Sequence, residues 1–577
     1  MMNARSIWSY REFYNSQPPS DSLAFIRKYP TDIIILYLSK INALIFLDGD
    51  SNLSTLKKIL LQCFPFLDNK RRNRLAELMK DSESLEDGSH FFSPQAISKL
   101  IGICLSNYRA EYPDEEADES NLQNDLWDNI LLANQIYYDQ LTDSDDICSY
   151  SGIWKLGMMQ QFYIRRFIVL HYIGNVEVLL FYKFIRREIP NGSRFIGEFI
   201  QNLGLSDFFQ YAKIVMKILK QSMDQFKEDE NAKWSLELNE QQQKIIEPFS
   251  YRRSNLPANN DEFTIHKHIM THPIYFILDE HPVILDFNFL SYIAELSLTY
   301  NFHKHTSIRE EKRWKTFGDF KGWLGKKYYE EFVSELLLKG MFKEPEFILW
   351  NDKEGSPIDF MIVNDRDIYL IEVKSSDLPR IVLEEIDENG FKDFLDKNFA
   401  SSKENGLRNF GVCQIAKALD DIANSNKYDS LLTYPTKKRK HRIYPIIIHT
   451  EKAIDIAGVN SYLQDVFENE AKNITEKFDK IHPVTLISIS TLIEKMAVIK
   501  ENPHILKEWI RSYWRRCSSN KKSFKRSGDP NQFYNSCNTF GDFLRVITKD
   551  YPTRESFRTL VTELDLDPIS TNGFKAS

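Results

Sequence analysis

The 577-residue sequence predicts an α/β domain with a mixed β-sheet in its C-terminal half, preceded by a large, mainly α-helical N-terminal region. Up to about residue 240 the apolar residues mostly recur at helical spacing, as in Ile97, Leu100, Ile101 and Cys104. Beyond residue 340, short β-branched runs alternate with helical stripes. That alternation is typical of a sheet with helices packed on it.

The sequence divides into four segments. Residues 1–240 form the helical region, which we interpret as a recognition or regulatory part, and residues 241–316 form a connector. Two short strands, 273–278 and 282–285, and a helix over 289–298 are predicted in the connector. Residues 317–500 form the sheet domain, and residues 501–577 form a basic and aromatic helical segment.

The sheet domain shows the element order α-β-β-β-α-β. Glycines at 318, 322 and 325 precede a predicted helix over residues 326–339. Three strands are predicted at 346–350, 357–363 and 368–374, and a long polar loop leads to a second helix over 407–424. A fourth strand is predicted at 444–449 and a fifth at 484–488.

Composition and charge exclude several classes of protein. The chain is 42% apolar and 27% charged, as expected of a folded globular protein, and its net charge of -8 argues against coating nucleic acid along the whole surface. Six cysteines without a C-x-x-C pair indicate reduced thiols and a cytoplasmic location. Charged or polar residues interrupt the apolar stretches 33–47 and 162–185, so neither suits a membrane helix. The sequence has no G-x-x-x-x-G-K-[ST] motif, which argues against an ATP-driven motor.

The strands at 357–363 and 368–374 are predicted to form a hairpin with Asp365 and Arg366 at the centre of its turn. Counting back from this turn gives the cross-strand pairs Val363–Ile368, Met361–Leu370 and Asp359–Glu372. Opposed residues have Cβ atoms roughly 4.5–5.5 Å apart, so the two carboxylates are expected to share one spot. Lys374, two residues beyond Glu372, points to the same face.

The hairpin is predicted to be buried on both faces, because both carry apolar side chains. One face comprises Ile358, Phe360, Ile362, Tyr369, Ile371 and Val373, and the other comprises Met361, Val363, Ile368 and Leu370. Two acids at the end of such a core repel each other unless a cation lies between them. Mg²⁺ prefers oxygen ligands and is the natural candidate, with Lys374 close to it and to an approaching phosphate.

This pattern resembles the signature of the PD-(D/E)xK nuclease superfamily, whose members have a restriction-endonuclease-like fold. The matching residues are Pro357-Ile-Asp359, a turn, and then Glu372-Val-Lys374, with P-x-D in place of P-D. Tyr329-Glu330-Glu-Phe332-Val333 resembles the first core helix of many such enzymes and nominates Glu330 as an outer metal-site acid, although periodicity does not separate Glu330 from Glu331. Gln414 resembles the Gln that often lies beside the catalytic Lys. The resemblance covers roughly residues 317–490.

The resemblance implies a metal-dependent nuclease that hydrolyses phosphodiester bonds, with DNA favoured over RNA. Asp359 and Glu372, assisted by the Val373 carbonyl, are then expected to bind Mg²⁺, for which Mn²⁺ would substitute. Lys374 would position the attacking water and offset charge on the phosphate. Large helical regions fused to such a core resemble bacterial restriction or anti-phage defence effectors. The resemblance is compatible with a protein partner for the helical region and with an oligomer, and the interrupted apolar stretches predict no membrane association.

Two interpretations other than an active nuclease remain open: a non-catalytic module, and an enzyme that is silent until a partner binds. (Asp/Glu)-x-Lys triplets are common, and this chain also has Asp68-Asn-Lys70 and Glu310-Glu-Lys312. The fold is also used by non-catalytic nucleic-acid-binding or assembly modules. A third kind of protein, an enzyme silent until a partner docks on its helical region, gives the same pattern.

Three further motifs have alternative interpretations. His266, His268 and His272 have metal-ligand spacing but lack a Cys or acid pattern, which favours a connector role. The basic run Lys437–Arg442 is either a solvated loop or a phosphate-contact loop beside the site. The segment Lys507–Arg526 interleaves basic and aromatic residues, which suits nucleic-acid binding unless the aromatic residues belong to the core.

Overall fold

The structure is a computed structural model. It describes residues 8–48, 53–80, 91–111, 118–140, 148–160, 167–228, 236–256, 263–351, 356–401, 410–548 and 553–566. The fold is mixed α/β and mostly helical, so the coarse architecture predicted from the sequence is confirmed. The restriction-endonuclease-like assignment stays a prediction.

The N-terminal region is built of helices in its described parts, as predicted. Apolar residues at helical spacing bury one face of most of these helices, and Ile97, Leu100, Ile101 and Cys104 are all buried. The helices are α1 (Tyr10–Tyr14), α2 (Thr31–Asp48), α3 (Leu53–Cys63), α4 (Asn69–Lys80), α5 (Pro94–Ser106), α6 (Glu119–Tyr138), α7 (Tyr150–Gln160), α8 (Phe167–Glu188), α9 (Gly192–Leu203) and α10 (Gln210–Glu228).

The connector contains the two predicted strands and one that the sequence did not indicate. After α11 (Glu240–Ile246), β1 (Ser250–Arg252) lies parallel to β2 (Ile274–Ile277), which is antiparallel to β3 (His281–Ile284). The predicted helix is longer than expected and forms α12 (Phe287–Lys304). Asp286 caps its N-terminus by accepting hydrogen bonds from Asn288 and Phe289.

A six-stranded mixed sheet organises the C-terminal half. The strands are β4 (Ile348–Trp350), β5 (Phe360–Asn364), β6 (Asp367–Lys374), β7 (Arg442–His449), β8 (Lys480–Ile481) and β9 (Thr485–Ser488). The order is β4-β5-β6-β7, with β8 and β9 both pairing with β7. Strand β5 is antiparallel to both β4 and β6, whereas β7 is parallel to β6, and β8 and β9 are parallel to β7.

The helix before the sheet differs from its prediction. Instead of beginning at Lys326 after three glycines, it runs continuously through α13 (Phe317–Leu324), a π-helical segment (Gly325–Val333) and α14 (Ser334–Met341). The glycines therefore lie inside the helix. A Cβ on Gly325 would come within 2.9 Å of Ser375 Oγ, so a glycine permits the close approach of this helix to the end of β6.

The connections between the strands are more helical than predicted. The expected polar loop after β6 contains α15 (Arg380–Glu384) and α16 (Glu388–Phe399). The helix expected over 407–424 is α17 (Val412–Asn424); it begins at Val412 because Gly411 has a φ of 57°, while Leu407 lies outside the described residues. A further helix, α18 (Val459–Ala471), connects β7 to the last strands. The described chain ends with α19 (Ile489–Glu501), α20 (Ile505–Ser527), α21 (Pro530–Ser536), α22 (Phe540–Thr548) and α23 (Arg554–Glu563).

The two faces of the sheet pack into two different hydrophobic clusters, as the alternation predicts. Met361, Val363, Ile368 and Leu370 lie in one cluster with α16 and α17, and Phe360, Ile362, Tyr369, Ile371 and Val373 lie in the other. Ile358 is an exception to its prediction, because it precedes β5 and packs with Met361. Both clusters also contain side chains from the N-terminal helices, so the core runs across the predicted segment boundaries.

No helix in the described parts of the chain is both long enough and apolar enough to span a membrane.

Candidate active site

The hairpin of β5 and β6 has the predicted register over its whole described ladder. Val363 pairs with Ile368 and Met361 with Leu370, and Asn364 and Asp367 close the turn around Asp365. Asp365 adopts a left-handed φ of 48°, which a two-residue hairpin turn requires and Asp tolerates. The sequence therefore placed every side chain of this hairpin on the correct face from Phe360 to Lys374.

Asp359 is close to Glu372 but is not its ladder partner, because β5 begins at Phe360 instead of Pro357. Pro357 lacks an N–H, and its carbonyl oxygen accepts a hydrogen bond from Gln414 Nε2 at 3.0 Å, so this segment is held by side chains. The Asp359 carboxylate accepts a hydrogen bond from the Val373 N–H at 2.7 Å. Asp359 therefore lies beside Glu372 as predicted, but at the position just before β5 begins.

Lys374 and Glu372 form a buried ion pair at the end of β6. Lys374 Nζ donates to Glu372 Oε1 at 2.6 Å, and the two residues are 8% and 2% exposed. The same ammonium donates to Gln414 Oε1 at 2.7 Å. Charge-assisted bonds of this kind in a buried environment fix the direction of the lysine.

Gln414 is positioned by the start of α17. The Gly411 N–H donates to Gln414 Oε1 at 2.9 Å, and Gln414 Nε2 reaches Pro357, so one amide links the helix, the lysine and the segment before β5. An apolar stripe that includes Ile415 and Leu419 presses α17 onto the sheet. The structure therefore brings Gln414 beside Lys374, where the sequence expected it.

Glu330 and Glu331 have different partners, and only Glu330 contacts the end of β6. Ser375, the residue after Lys374, donates through its Oγ to Glu330 Oε1 at 2.6 Å. Glu331 instead pairs with Lys327 at 2.7 Å, one helical turn away. Glu330 lies in the π-helical segment, a rare geometry that is frequent at functional sites and that a period of 3.6 does not predict.

Burial destabilises the charged forms of the Asp359 and Glu372 carboxylates. Burial raises the pKa of Asp359 from 3.8 to about 6, although the Val373 N–H and the Lys374 ammonium act in the opposite direction. Burial, and then the charge of Asp359, raise the pKa of Glu372 well above its usual range. The negative charge of Glu330 acts in the same direction on both. Perturbed pKa values of this kind cluster at functional sites.

The donor set fits a magnesium ion. In the described parts of the chain no group of three or more His, Cys, Asp or Glu side chains could hold a metal ion by itself. Mg²⁺, however, usually takes one or two carboxylates and keeps several waters. Glu372 Oε2 is buried and has no hydrogen-bond partner among the described residues, so a buried acceptor next to Asp359 is available. Val373 contributes its N–H to the site, and the ligand role of its carbonyl stays a prediction.

Two further residues of the site were missed by the sequence analysis. Ser375 connects the end of β6 to Glu330, and the ring centroid of Phe410 lies 5.0 Å from Lys374 Nζ. Phe410 is 36% exposed, whereas Lys374 beside it is 8% exposed. Only the position of Phe410 next to the glycine that starts α17 could have indicated it.

The three histidines lie in the connector and serve packing. His268 stacks on Phe263 with ring centroids 4.7 Å apart, and His272 lies 4.4 Å from Tyr251. Burial lowers the pKa of His266 to about 3, and its backbone N–H donates to Glu384 at 2.7 Å. The stacking of these rings on aromatic neighbours is the packing that the connector interpretation expects.

The basic run at 437–442 is not beside the candidate site. Arg442 pairs with Asp367 at the opposite end of the parallel strands β6 and β7 from Lys374, seven residues or roughly 23 Å away. Its guanidinium forms an ion pair with Asp367 at 2.7 Å. The phosphate-contact interpretation of this loop is therefore wrong, and the solvated-loop interpretation fits its exposed Lys437, Arg439 and Lys440.

Gly411 offers a test of how α17 positions the site. A Cβ at this position would overlap the carbonyl oxygen of Phe399, and the positive φ disfavours any other residue. Gly411→Ala is expected to lower the free energy of unfolding by about 3 kcal/mol or more. The control Gly197→Ala, on the exposed side of α9 with open space around it, should instead raise this free energy by roughly 0.5–1 kcal/mol. Urea denaturation measures both, and equal effects of the two changes would contradict this account.

Comparison of the chain with protein-family models, with curated proteins and with solved structures found no match.

Proposed function

We propose that this protein is a metal-dependent nuclease that hydrolyses phosphodiester bonds in nucleic acid, with DNA as the expected substrate. The observation that carries the proposal is the buried Lys374–Glu372 pair with Asp359 beside it and a buried Glu372 oxygen that lacks a partner among the described residues. Burying charge is costly unless the charge is paired and hydrogen-bonded, so an additional cation beside these two buried acids would be stabilising. The elements around this site also support the proposal, because α14, β4 to β6, α17 and β7 follow the element order predicted for the sheet domain.

Each residue of the site has a role in the proposed reaction. Asp359, Glu372 and the Val373 carbonyl would hold Mg²⁺, or Mn²⁺ in its place, with Glu330 as an outer acid acting through Ser375. When bound, the ion would supply positive charge that lowers the pKa of the attacking water and stabilises the leaving oxygen. The water oxygen would form its bond to phosphorus as the bond to the leaving sugar oxygen breaks. The attacking water gives up one proton to solvent, and the leaving oxygen takes up one proton from solvent and departs as a hydroxyl.

Lys374 is the residue that we expect to act directly on the reacting atoms. Its ammonium can donate to the attacking water or to a non-bridging phosphate oxygen, and it offsets the negative charge that builds up during the reaction. Gln414 holds this ammonium at 2.7 Å and thereby limits its orientation. Gln414 is therefore a positioning residue.

The proposal is tested with the purified full chain and four substrates: plasmid, linear duplex DNA, single-stranded DNA and RNA. We expect cleavage of at least one substrate with Mg²⁺ or Mn²⁺ and none with EDTA. Glu372→Gln, which keeps the size of the side chain, should abolish it. Identical behaviour of wild type and Glu372→Gln on every substrate would rule out catalysis at this site.

Glu330 and Glu331 provide a matched pair of variants. Glu330→Gln removes the charge that faces Ser375 and is expected to lower the cleavage rate 10- to 100-fold, as is usual for outer-sphere groups at metal sites. Glu331→Gln removes only a surface ion pair with Lys327, so its rate should match the wild type. Cleavage rates at saturating Mg²⁺ measure the difference, and the reverse order of effects would assign the wrong glutamate.

One observation favours a second candidate, a non-catalytic module that binds nucleic acid. Lys374 already neutralises Glu372 within the protein, which is an arrangement that needs no metal ion. Such a module would bind nucleic acid equally well with and without Mg²⁺ and after Glu372→Gln. Cleavage by the wild type excludes it.

A further inference from the structure

Helix α20 carries a concentration of positive charge that is exceptional for this acidic chain. From Arg511 to Arg526 it has seven Lys and Arg residues and no Asp or Glu, in a protein with a net charge of -8. The local field of a helix can differ in sign from that of the whole protein.

Five of these cations form a single stripe. At 100° per residue, Arg511, Arg515, Lys522, Lys525 and Arg526 fall within about 100° of the helix circumference and span about 22 Å along the axis. All but Arg511 are exposed. The opposite side of the helix is buried through Trp509, Ile510, Tyr513 and Cys517, so packing fixes which side the stripe presents.

The stripe is not neutralised by acids among the described residues. Lys507, at the start of the helix, is paired with Asp367 at 2.8 Å. In contrast, none of the seven cations from Arg511 to Arg526 has a carboxylate within 4.0 Å in the described parts of the chain, and Arg511 lies over the ring of Tyr444 instead. Several surface cations elsewhere, among them Lys392 and Lys417, have acidic partners.

We propose that the exposed stripe of α20 binds the phosphate backbone of a nucleic-acid duplex. A rigid row of cations about 22 Å long complements the regular phosphates of a duplex. Single-strand binders combine such charge with exposed aromatic rings, whereas Trp509 and Tyr513 of this helix are in the core. Insertion into a lipid surface needs an exposed apolar face, which α20 has already buried.

Helix α20 packs on the same sheet as the candidate active site, on the face opposite to the Lys374 side chain. Trp514 Nε1 donates to Thr485 Oγ1 at 3.0 Å, which anchors the helix to the first residue of β9. Thr485 aligns with Ile446 of β7 and through it with Ile371 of β6, so it is roughly 14 Å from Lys374 by sheet spacing. Naming the bound duplex as the substrate rests on the proposed function, while the binding itself does not.

The test measures binding of the full chain to a fluorescent DNA duplex in EDTA, so that no cleavage is needed. The variant Arg515→Gln/Lys522→Gln/Arg526→Gln removes three charges from the stripe. The control Lys437→Gln/Arg439→Gln/Lys440→Gln removes three from the exposed basic loop that precedes β7 and lies outside the stripe. Circular dichroism and thermal unfolding should be unchanged in both, because all six side chains are exposed.

For the stripe variant we expect the slope of log K against log salt to become shallower by roughly 2.7, and affinity near 0.1 M salt to fall by about 10²-fold or more. The loop variant should stay within threefold of the wild type. Equal losses in both variants would indicate diffuse attraction and overturn the proposal. An unchanged salt slope or tighter binding to single-stranded DNA than to the duplex would also overturn it. The same holds if the stripe variant loses binding to phosphatidylserine vesicles but keeps its binding to the duplex. A wild type that binds but does not cleave would refute the proposed nuclease and leave this inference standing.

Discussion

Lys374→Met is expected to lower the rate of nucleic-acid cleavage at least about 10³-fold while the protein remains folded. Methionine keeps the length and the apolar stem of the side chain but removes the ammonium that contacts Glu372 and Gln414. Since no other described cation is paired with Glu372, the charge that offsets the reacting phosphate is lost with it.

The same change has a predictable effect on stability. Without the ammonium, Glu372 is left buried beside Asp359, and breaking a buried pair in this way costs about 3 kcal/mol or more. The pKa of Glu372 is already raised by burial, so the carboxyl can take up a proton instead, and the loss of stability should shrink as the pH falls. The double variant Lys374→Met/Glu372→Gln removes the buried charge and should recover stability without recovering activity.

Cleavage kinetics and urea denaturation at two pH values distinguish these effects. Lys417→Met, on the exposed side of α17 where the lysine pairs with Asp420 and Asp421, is the matched control and should alter neither quantity by much. A Lys374→Met enzyme within tenfold of the wild-type rate would assign the chemistry to another residue. A double variant as unstable as the single variant would show that Glu372 is not the source of the instability.

The site illustrates which features a sequence determines locally. The register of β5 and β6 follows from a period of two and a tight turn, both of which are local properties, and it placed Glu372 and Lys374 correctly. The end of the ladder before Asp359 could not be predicted in this way, because it depends on the contact between Pro357 and Gln414. These two residues are 57 positions apart in the chain. The choice of Glu330 over Glu331 depends on a π-helical segment and on Ser375, which no single-helix pattern encodes.

The missed helices have a similar explanation. In α16 the residues Phe391, Phe394, Leu395 and Phe399 form a helical stripe, but Asn389 and Gly390 weaken the intrinsic helical preference of its first turn. Tertiary burial of the aromatic residues outweighs this preference. The division into segments at residues 240 and 317 assumed a separate core for each, whereas both hydrophobic clusters combine N-terminal and C-terminal side chains. That division stays a prediction.

Asp359→Asn is expected to stabilise the metal-free protein above pH 6 and to abolish its stabilisation by Mg²⁺. The folded-state pKa of Asp359, about 6, exceeds the ordinary value of 3.8, so ionisation opposes folding. The contribution of Asp359 to the stability of the wild type should therefore fall as the pH rises from about 4 to about 6 and stay level above that. Asparagine can still accept the Val373 N–H but carries no charge, so its advantage grows with pH to about 3 kcal/mol and disappears near pH 4.

Magnesium should offset most of the difference in stability between the two proteins. A concentration of about 100 Kd stabilises the wild type by about 2.7 kcal/mol if the ion binds only the folded state, whereas the variant lacks a charged ligand and should gain little. Thermal unfolding at pH 5 and pH 8, with and without Mg²⁺, gives all four values. Asp365→Asn, at the exposed hairpin turn, is the control and should respond to Mg²⁺ as the wild type does. Equal stabilisation of the wild type and Asp359→Asn by Mg²⁺ would place the ion elsewhere. If Mg²⁺ stabilises the wild type above pH 6 but not Asp359→Asn, Asp359 is identified as a ligand without any measurement of cleavage.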